Sequence, residues 1–486
     1  MDLSKIIKSI EAVEVLNFKD IDIKGISYNS NTINSHEIFV CLKGEHVDGH
    51  DFAQSAFEKG AVALMCEKPL NIEIPQIIVK STQESIADLA AVFYHNPTHS
   101  LNLMGVTGTN GKTTVAHLVQ KIFEENNKKC ALIGTLGYKF SSKDDYLEAK
   151  HTTPQAPQMQ ETLQKILNAE VSNVITEVSS HALEQFRVKN CEFSTAIFTN
   201  LTQDHLDYHI TMDNYFSAKA KLFAGLKQGC CAVINLDDKY AKRLIDSVNE
   251  GVNILTYGVK TNADLMAKNI EFMSDGVSFD VSYKNESLNF KLHLNGMFSV
   301  YNCLAAIGCA LVNNIELVVI KSALEATRSV AGRFEIVQTN PMVIVDYAHT
   351  PDGLENILRA ARELTPKDGN LICLFGCGGN RDCTKRPKMG KIAQQLADKI
   401  IITSDNPRSE DPQQIITDIL SGLALINPKT VFVEADRHLA IKLLKDISSE
   451  NDVLVLAGKG HENYQILADK TVHFDDREEV IKVFGE

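Results

Sequence analysis

The sequence predicts an α/β chain of three domains. Three observations predict it. A Gly-rich run, GVTGTNGKTT at 105–114, lies between a strand-like segment and a helix-like one. Five apolar strand segments alternate with helical segments in the last third. The opening block mixes short strands with one helix and ends in HNPTHS at 95–100, which has linker composition. The expected division is 1–97, a small N-terminal α/β substrate domain; 98–331, a central phosphate-loop ATPase-like α/β domain; and 332–486, a C-terminal Rossmann-like domain with a parallel sheet.

In the first block, EIFVCLKG (37–44), AVALMCE (61–67) and PQIIVK (75–80) read as strands, and ESIADLAAVFYH (84–95) as a helix. In the second, LNLMGV (101–106) is a strand running into Thr107-Gly108-Thr109-Asn110-Gly111-Lys112-Thr113-Thr114. Val115, Leu118, Val119 and Ile122 then recur at helical spacing. VSNVITEV (171–178), STAIFTN (194–200) and CAVINLD (231–237) are further buried strands, and VYNCLAAIGCALV (300–312) is a buried helix. The third block offers MVIVDYAH (342–349), NLICLFG (370–376), KIIITSD (399–405), TVFVEAD (430–436) and DVLVLAG (452–458). Regular alternation of this kind implies a parallel sheet covered on both faces.

The chain has 486 residues, with 49 Lys and Arg against 62 Asp and Glu, a net charge of −13. An acidic chain has no electrostatic reason to hold nucleic acid or an anionic membrane, so neither is expected as a partner. The first residues, MDLSKIIKSIEAVEVL, lack a signal-type apolar core, and CLAAIGCALV (303–312) is too short to span a bilayer. The 11 cysteines contain no CxxC pair, even around FGCGGNRDC with Cys373, Cys377 and Cys383. Free thiols in a reducing cytoplasm are expected.

The chemistry begins at the Gly-rich loop. Free N–H groups at a helix start, together with the helix dipole, favour an anion. Lys112 can reach terminal phosphates and a Thr hydroxyl can bind Mg²⁺, so ATP or GTP is the expected ligand. The generic phosphate loop asks for Gly at position 106; Val106 stands there and Gly105 is one place early. Glu177 ends an apolar strand, where a carboxylate can hold Mg²⁺ directly or through water. Asp204, His205, Asp207 and His209 crowd TNLTQDHLDYH (199–209). They admit a zinc site or a polar loop associated with Mg²⁺; the second suits a segment that follows a strand. Four of the five C-terminal strands run into unusual polar sequences: Asp346–Pro351, Gly376–Asp382, Asp405–Arg408 and Gly458–Glu462. In parallel sheets that rim is where ligands bind. Nucleotide on one α/β unit and a polar rim on another suit activation of a carboxylate by phosphoryl transfer, then attack by a second substrate. A nucleotide-driven switch or motor that makes no covalent product is the rival from another class.

The phosphate loop with its early Gly resembles that of the Mur ligase family. So do Glu177-Val-Ser-Ser-His181, Thr199-Asn-Leu-Thr-Gln-Asp-His205, Asn295-Gly296 leading to Asn302, Gly332-Arg333, and Asp346-Tyr-Ala-His-Thr-Pro351, all in order. The resemblance implies that ATP lies on Gly108, Thr109, Asn110, Gly111, Lys112, Thr113 and Thr114, with Asn302, Arg333 and Asp346 holding it across the domain junction. Lys112, Glu177, His205 and Lys219 would be catalytic. Thr113 or Thr114, Glu177 and His205 would surround Mg²⁺. Tyr215-Phe-Ser-Ala-Lys219 matches the family segment whose lysine becomes carbamylated (N6-carboxylysine), which would make Lys219 a metal ligand. Ser30 matches the uridine-contacting serine, although Asn29-Ser30-Asn31 stands where the family commonly shows Asp-Ser-Arg. Thr152, Thr153, Ser179, Gln185 and Arg187 match muramoyl-peptide contacts.

The pair DNPR (405–408) and GKGHE (458–462) is similar to the members of the family that add meso-diaminopimelate to UDP-MurNAc-L-Ala-D-Glu in peptidoglycan precursor synthesis. Arg408 would read the distal carboxylate, which an arginine fork suits. Arg381, Asp405, Asn406, Pro407, Gly458 and Glu462 would complete the pocket, with Glu462 accepting from the distal ammonium. The resemblance thus implies an ATP-dependent amide ligase with an acyl phosphate, and a monomeric cytoplasmic enzyme is expected. Within the family, addition of lysine or extension of a folate-type glutamate chain is the nearest rival.

Overall fold

The computed structural model describes residues 1–485 except 45–46, 149–150, 274–275 and 329. Among the described residues three large sheets carry the chain, each with its own core, and Tyr464–Ile466 pairs with Thr471–His473 in a two-stranded ribbon.

The first is five-stranded, in the order Ala12–Leu16, Gln76–Val79, Ala61–Cys66, Glu37–Val40, Gly25–Ser27. The three strands expected from sequence form its middle. The two outer strands had no apolar run to betray them; Ala12–Leu16 is largely solvent-facing. The helix runs Thr82–Phe93, and the Ser81 hydroxyl caps it by accepting from Glu84 N–H. It stops two residues short of the expected end because His95 and Asn96 both take positive φ, 61° and 50°.

The central sheet has ten strands. The phosphate-loop strand Asn102–Thr107 is flanked by Phe193–Phe198 on one side and Asn173–Glu177 on the other, all parallel. The far edge is an antiparallel meander of Leu265–Met273, Gly276–Tyr283 and Glu286–Leu292. Sequence reading missed that meander, in which buried and exposed residues alternate without a continuous apolar stretch. Helix Lys112–Glu125 buries Val115, Leu118, Val119 and Ile122 in one core with Val300, Leu304 and Ile307 of helix Met297–Val312. Burying each such side chain contributes about 1.5–3 kcal/mol, which fixes the start of the first helix at the loop.

The C-terminal sheet has six strands in the order Glu335–Thr339, Met342–Asp346, Val453–Ala457, Leu371–Phe375, Lys399–Ile402, Val431–Val433. The five expected strands are parallel, and Glu335–Thr339 adds an antiparallel edge. Ile344, Leu371, Cys373 and Phe375 point to helices Pro351–Leu364, Arg386–Leu396 and Pro412–Leu420. Val343, Val345, Ile372 and Leu374 point the other way, to Arg437–Ile447 and Asp476–Phe484. Both faces are covered, as the unbroken apolar strands require.

The domains touch through polar contacts. Gln83 Nε2 donates to the Gln185 carbonyl at 2.9 Å, and Lys189 Nζ meets Glu84 at 2.7 Å and Asp88 at 3.1 Å. At the other seam Asn110 Nδ2 donates to Asp352 at 2.7 Å, and Arg333 Nη2 to Thr113 Oγ1 at 3.0 Å.

Candidate active site

The Gly-rich loop closes on itself. Gly111 takes φ 89°, and a Cβ there would lie 2.3 Å from Asn302 Oδ1, so the helix start and Asn302 are in contact only because the residue is glycine. Lys112 Nζ donates to the carbonyls of Gly108 and Thr109, both at 2.9 Å. Lys219 Nζ donates to the same Gly108 carbonyl at 2.8 Å. Burial pulls the Lys112 ammonium below the usual lysine range, with Glu177 and Asp204 opposing. Lys219 lies well below that range, through burial and the neighbouring Lys112. Thr109 Oγ1 donates to the Thr202 carbonyl at 3.1 Å and lies 3.2 Å from the Tyr215 hydroxyl.

Of the two candidate threonines, Thr113 is the one beside the carboxylate: its Oγ1 donates to Glu177 Oε2 at 3.0 Å. Thr114 is buried in the same helical turn. Glu177 also accepts from Thr135 N–H at 3.0 Å and Thr135 Oγ1 at 2.9 Å. Thr135 carries no motif; only the fold brings it to Glu177. His205 stands at the head of the short helix Leu206–His209 with φ 53°. Its Nε2 is 3.3 Å from Asp204, and its ring centre is 4.8 Å from that of His181. Burial pushes the His205 imidazole down to about 3, against the pull of Asp204. Burial also opposes charge on Asp204, but His205, His349 and Lys385 hold it well below the usual carboxylate range. His349 and Lys385 reach it from the C-terminal domain, each at 3.8 Å.

The crowd at 204–209 disperses in three dimensions: His209 Nε2 meets Ser180 Oγ at 2.8 Å, and Asp207 is exposed. Among the described residues no three His, Cys, Asp or Glu side chains stand together to hold a metal. Thr113 and Glu177 are oxygen donors of the kind Mg²⁺ takes when phosphates and water complete its shell. Ile210, just after this helix, is 72% exposed and takes φ 68°. Thr211 N–H donates to the His209 carbonyl across it at 2.7 Å, a γ-turn of the strained, positive-φ hand.

On the other side of Glu177, Thr153 Oγ1 donates to the Glu177 carbonyl at 2.9 Å and lies 3.3 Å from Ser179 Oγ. Arg187 Nη1 donates to the Thr153 carbonyl at 3.0 Å, and Arg187 Nε to Gln185 Oε1 at 3.0 Å. Thr152 joins through Thr135 Oγ1 at 3.2 Å. These five, Thr152, Thr153, Ser179, Gln185 and Arg187, form one polar cluster. Ser30 is buried in the first domain, where its carbonyl accepts from Lys59 Nζ at 2.9 Å. Lys59 Nζ also lies 3.3 Å from Asn31 Oδ1 and brings to that turn a cation that the motif itself lacks.

The four polar tips of the C-terminal sheet converge. Gly379 N–H donates to the Asn406 carbonyl at 2.9 Å, Gly458 N–H to the Asp346 carbonyl at 3.1 Å, and Asn406 Nδ2 to Glu462 Oε2 at 2.8 Å. Gly458 takes φ 116°, and a Cβ there would lie 2.8 Å from Asp405 Oδ2. Pro407 is buried between Asn406 and Arg408. Arg408 is half-buried, with Nη1 donating to the Gly379 carbonyl at 2.8 Å. Burial and the positive Arg381 lower its pKa, and Asp405 and Glu462 oppose them. Arg381 is exposed, and its charge reaches His181 of the central domain. Asp346 turns both oxygens inward, accepting from Phe334 N–H and Ala348 N–H at 2.7 Å each. It thereby fixes the Arg333 segment, whose guanidinium lies over Tyr347 at 4.6 Å.

Sequence reading missed Arg437. It is fully buried beneath the rim, paired with Asp476 at 2.7 Å, and donates to the carbonyls of Ser404 at 3.3 Å and Ala457 at 3.2 Å. Its position at a helix start gives no sequence signal. All 11 cysteines are free; Cys383, on this rim, is the exposed one.

Comparison with known proteins identifies the family. Residues 22–98 match the Mur ligase family catalytic domain, 106–310 the Mur ligase middle domain, and 332–460 the Mur ligase glutamate ligase domain. The chain is 44% identical over 495 residues to the UDP-N-acetylmuramoyl-L-alanyl-D-glutamate–2,6-diaminopimelate ligase of Clostridium botulinum, covering 100% of both. A solved structure of a ligase of that name superposes with TM-score 0.67 at 32% identity, covering 95% of each chain. The MurF ligase of Thermotoga maritima in complex with ADP shares the fold, with TM-score 0.64 at 18% identity over 96% of this chain and 98% of that one. With all three domains matched in order and a full-length relative this similar, the chain belongs to the Mur ligase family.

Proposed function

We propose that the protein joins meso-diaminopimelate to the D-Glu side-chain carboxylate of UDP-MurNAc-L-Ala-D-Glu, using ATP, as a monomeric cytoplasmic ligase. One observation supports this most: a rim carrying Arg381, Arg408, Asp405 and Glu462 lies across a seam from the phosphate loop, and Arg333 and Asp352 bridge to that loop.

The substrate carboxylate attacks the terminal phosphorus of ATP and ADP departs. The amine then attacks the acyl carbon and phosphate leaves, so an oxide never has to be expelled. Lys112 exchanges its bonds to the Gly108 and Thr109 carbonyls for phosphate oxygens. Loop N–H groups and Arg333 receive the remaining negative charge. The Thr152, Thr153, Ser179, Gln185 and Arg187 cluster holds the muramoyl peptide beside Glu177, and Ser30 with Lys59 receives the nucleotide end. Arg408 and Arg381 face the distal carboxylate while Glu462 takes the distal ammonium. Much of the rate comes from orienting three substrates.

Thr113, Glu177, His205 and Lys219 as its carbamate would hold Mg²⁺, which when bound would neutralise phosphate charge. An unmodified Lys219 is a donor and cannot serve a cation. Its amine must add CO₂ and release a proton, and burial supports the neutral form that this needs. A ¹³C carbamate signal after exchange with labelled bicarbonate tests the modification.

For the reaction as a whole, phosphate release should require ATP, UDP-linked dipeptide and diaminopimelate together, with tripeptide as product. ATP hydrolysis independent of the peptide would favour a switch or motor. Efficient incorporation of lysine in competition with diaminopimelate would overturn the pocket assignment.

A further inference from the structure

The GKGHE segment carries a lysine to which the proposed reaction gives no role. Lys459 is completely buried, which is rare for a lysine and costly unless its ammonium is paired. Its Nζ lies 3.3 Å from Glu462 Oε2 and donates to the Tyr464 carbonyl. The same oxygen, Oε2, accepts from Asn406 Nδ2 at 2.8 Å. The other oxygen, Oε1, has a long contact of 3.4 Å with the hydroxyl of Tyr464, a residue 38% exposed. The two oxygens of one carboxylate are therefore unequal. One is held from inside by a cation and an amide; the other has only the long contact with the partly exposed Tyr464 hydroxyl.

We infer that Lys459 is a positioning residue for amino-acid recognition: it pins Oε2 of Glu462 so that Oε1 is presented to the distal ammonium of the incoming amino acid. This rests on the pocket assignment above. Burial and the nearby Asp405 both push the Glu462 carboxyl up, towards its neutral form, and Lys459 with Asn406 opposes them. A neutral Glu462 would offer the ammonium a weaker acceptor and could rotate its proton towards it. Lys459 thus supports both the charge and the aim of a side chain that touches substrate.

The test is steady-state kinetics of the full-length protein with all three substrates, comparing Lys459→Met, Glu462→Gln and the double variant. Lys459→Met should raise KM for diaminopimelate by about 10-fold or more, the value of a charged hydrogen bond, with KM for ATP within about twofold of wild type. Added to Glu462→Gln, it should raise KM for diaminopimelate by less than about twofold, because the group it acts through is already gone. Lys459→Gln keeps a donor for the Tyr464 carbonyl while removing the charge; it should show the same rise and serves if the Met variant does not fold. The inference is overturned if KM for diaminopimelate stays at the wild-type value. It is overturned equally if the rise is as large in the Glu462→Gln background, or if KM for ATP rises in parallel. Should Glu462→Gln alone leave KM for diaminopimelate unchanged, the pocket assignment fails and takes this inference with it. Failure of the lysine variants alone leaves the pocket standing.

Discussion

The phosphate loop and the C-terminal rim, both proposed to hold anionic groups, are built in opposite ways. The loop is one run of chain between a central strand and a helix, and its lysine rests on its own carbonyls, Lys112 on Gly108 and Thr109, while Lys219 reaches Gly108 from helix Met212–Ala224. The rim is drawn from four loops spread between Asp346 and Glu462, and its shape is borrowed from the sheet beneath. Arg437 ties the Ser404 and Ala457 carbonyls from below, so a buried ion pair does for the rim what local hydrogen bonding does for the loop. A site built from separate loops can be altered one loop at a time, whereas the phosphate loop's own geometry lies in a single segment.

This contrast can be broken from either side. The largest effect is expected beneath the rim. Arg437→Ala strands Asp476 as an unpaired buried charge and should cost about 3–5 kcal/mol, read by chemical denaturation. A loss under about 1 kcal/mol would show that the rim does not depend on its support. On the loop side, Lys112→Ala should lower kcat by about 100- to 1000-fold in phosphate-release assays, the usual consequence of removing one anion-stabilising donor. Near-normal turnover would mean that the loop is not the phosphate site. Arg408→Ala should raise KM for diaminopimelate by about 10- to 100-fold while sparing ATP, as a charged hydrogen bond warrants. Equal losses for both substrates would erase the division of labour between loop and rim. Smallest is Ile210→Gly. Relieving a positive-φ β-branched residue, less the extra flexibility of glycine, should raise stability by about 1 kcal/mol in thermal unfolding. No gain would show that the turn at Ile210 is unstrained.

How far the molecule was legible follows from the same contrast. The loop declared itself because strand, glycines, lysine and helix periodicity are contiguous. The rim was legible by a topological rule: apolar strands in parallel place all their carboxyl ends together, so four odd loops had to meet. Strands Ala12–Leu16 and Gly25–Ser27 were not legible, because edge positions do not demand apolar residues. The meander at 265–292 hid behind alternating exposure. Thr135, Lys59 and Arg437 escaped for another reason. Each acts on a residue distant in sequence or on backbone carbonyls, and a side chain's partner across the fold leaves no mark in local spacing. The pattern at 204–209 misled in the opposite sense: adjacency in sequence suggested a cluster, but the short helix turns Asp207 to solvent and His209 to Ser180.

Cys383 carries a practical consequence. Its neighbours Asp382 and Thr384 lie against Gln203 of the central domain, so this thiol stands beside the seam between the two domains. The other ten sulfurs are wholly or partly covered. A maleimide fluorophore should therefore mark the unaltered protein at a single place, and its emission would report whether the C-terminal domain moves against the central one when substrates bind.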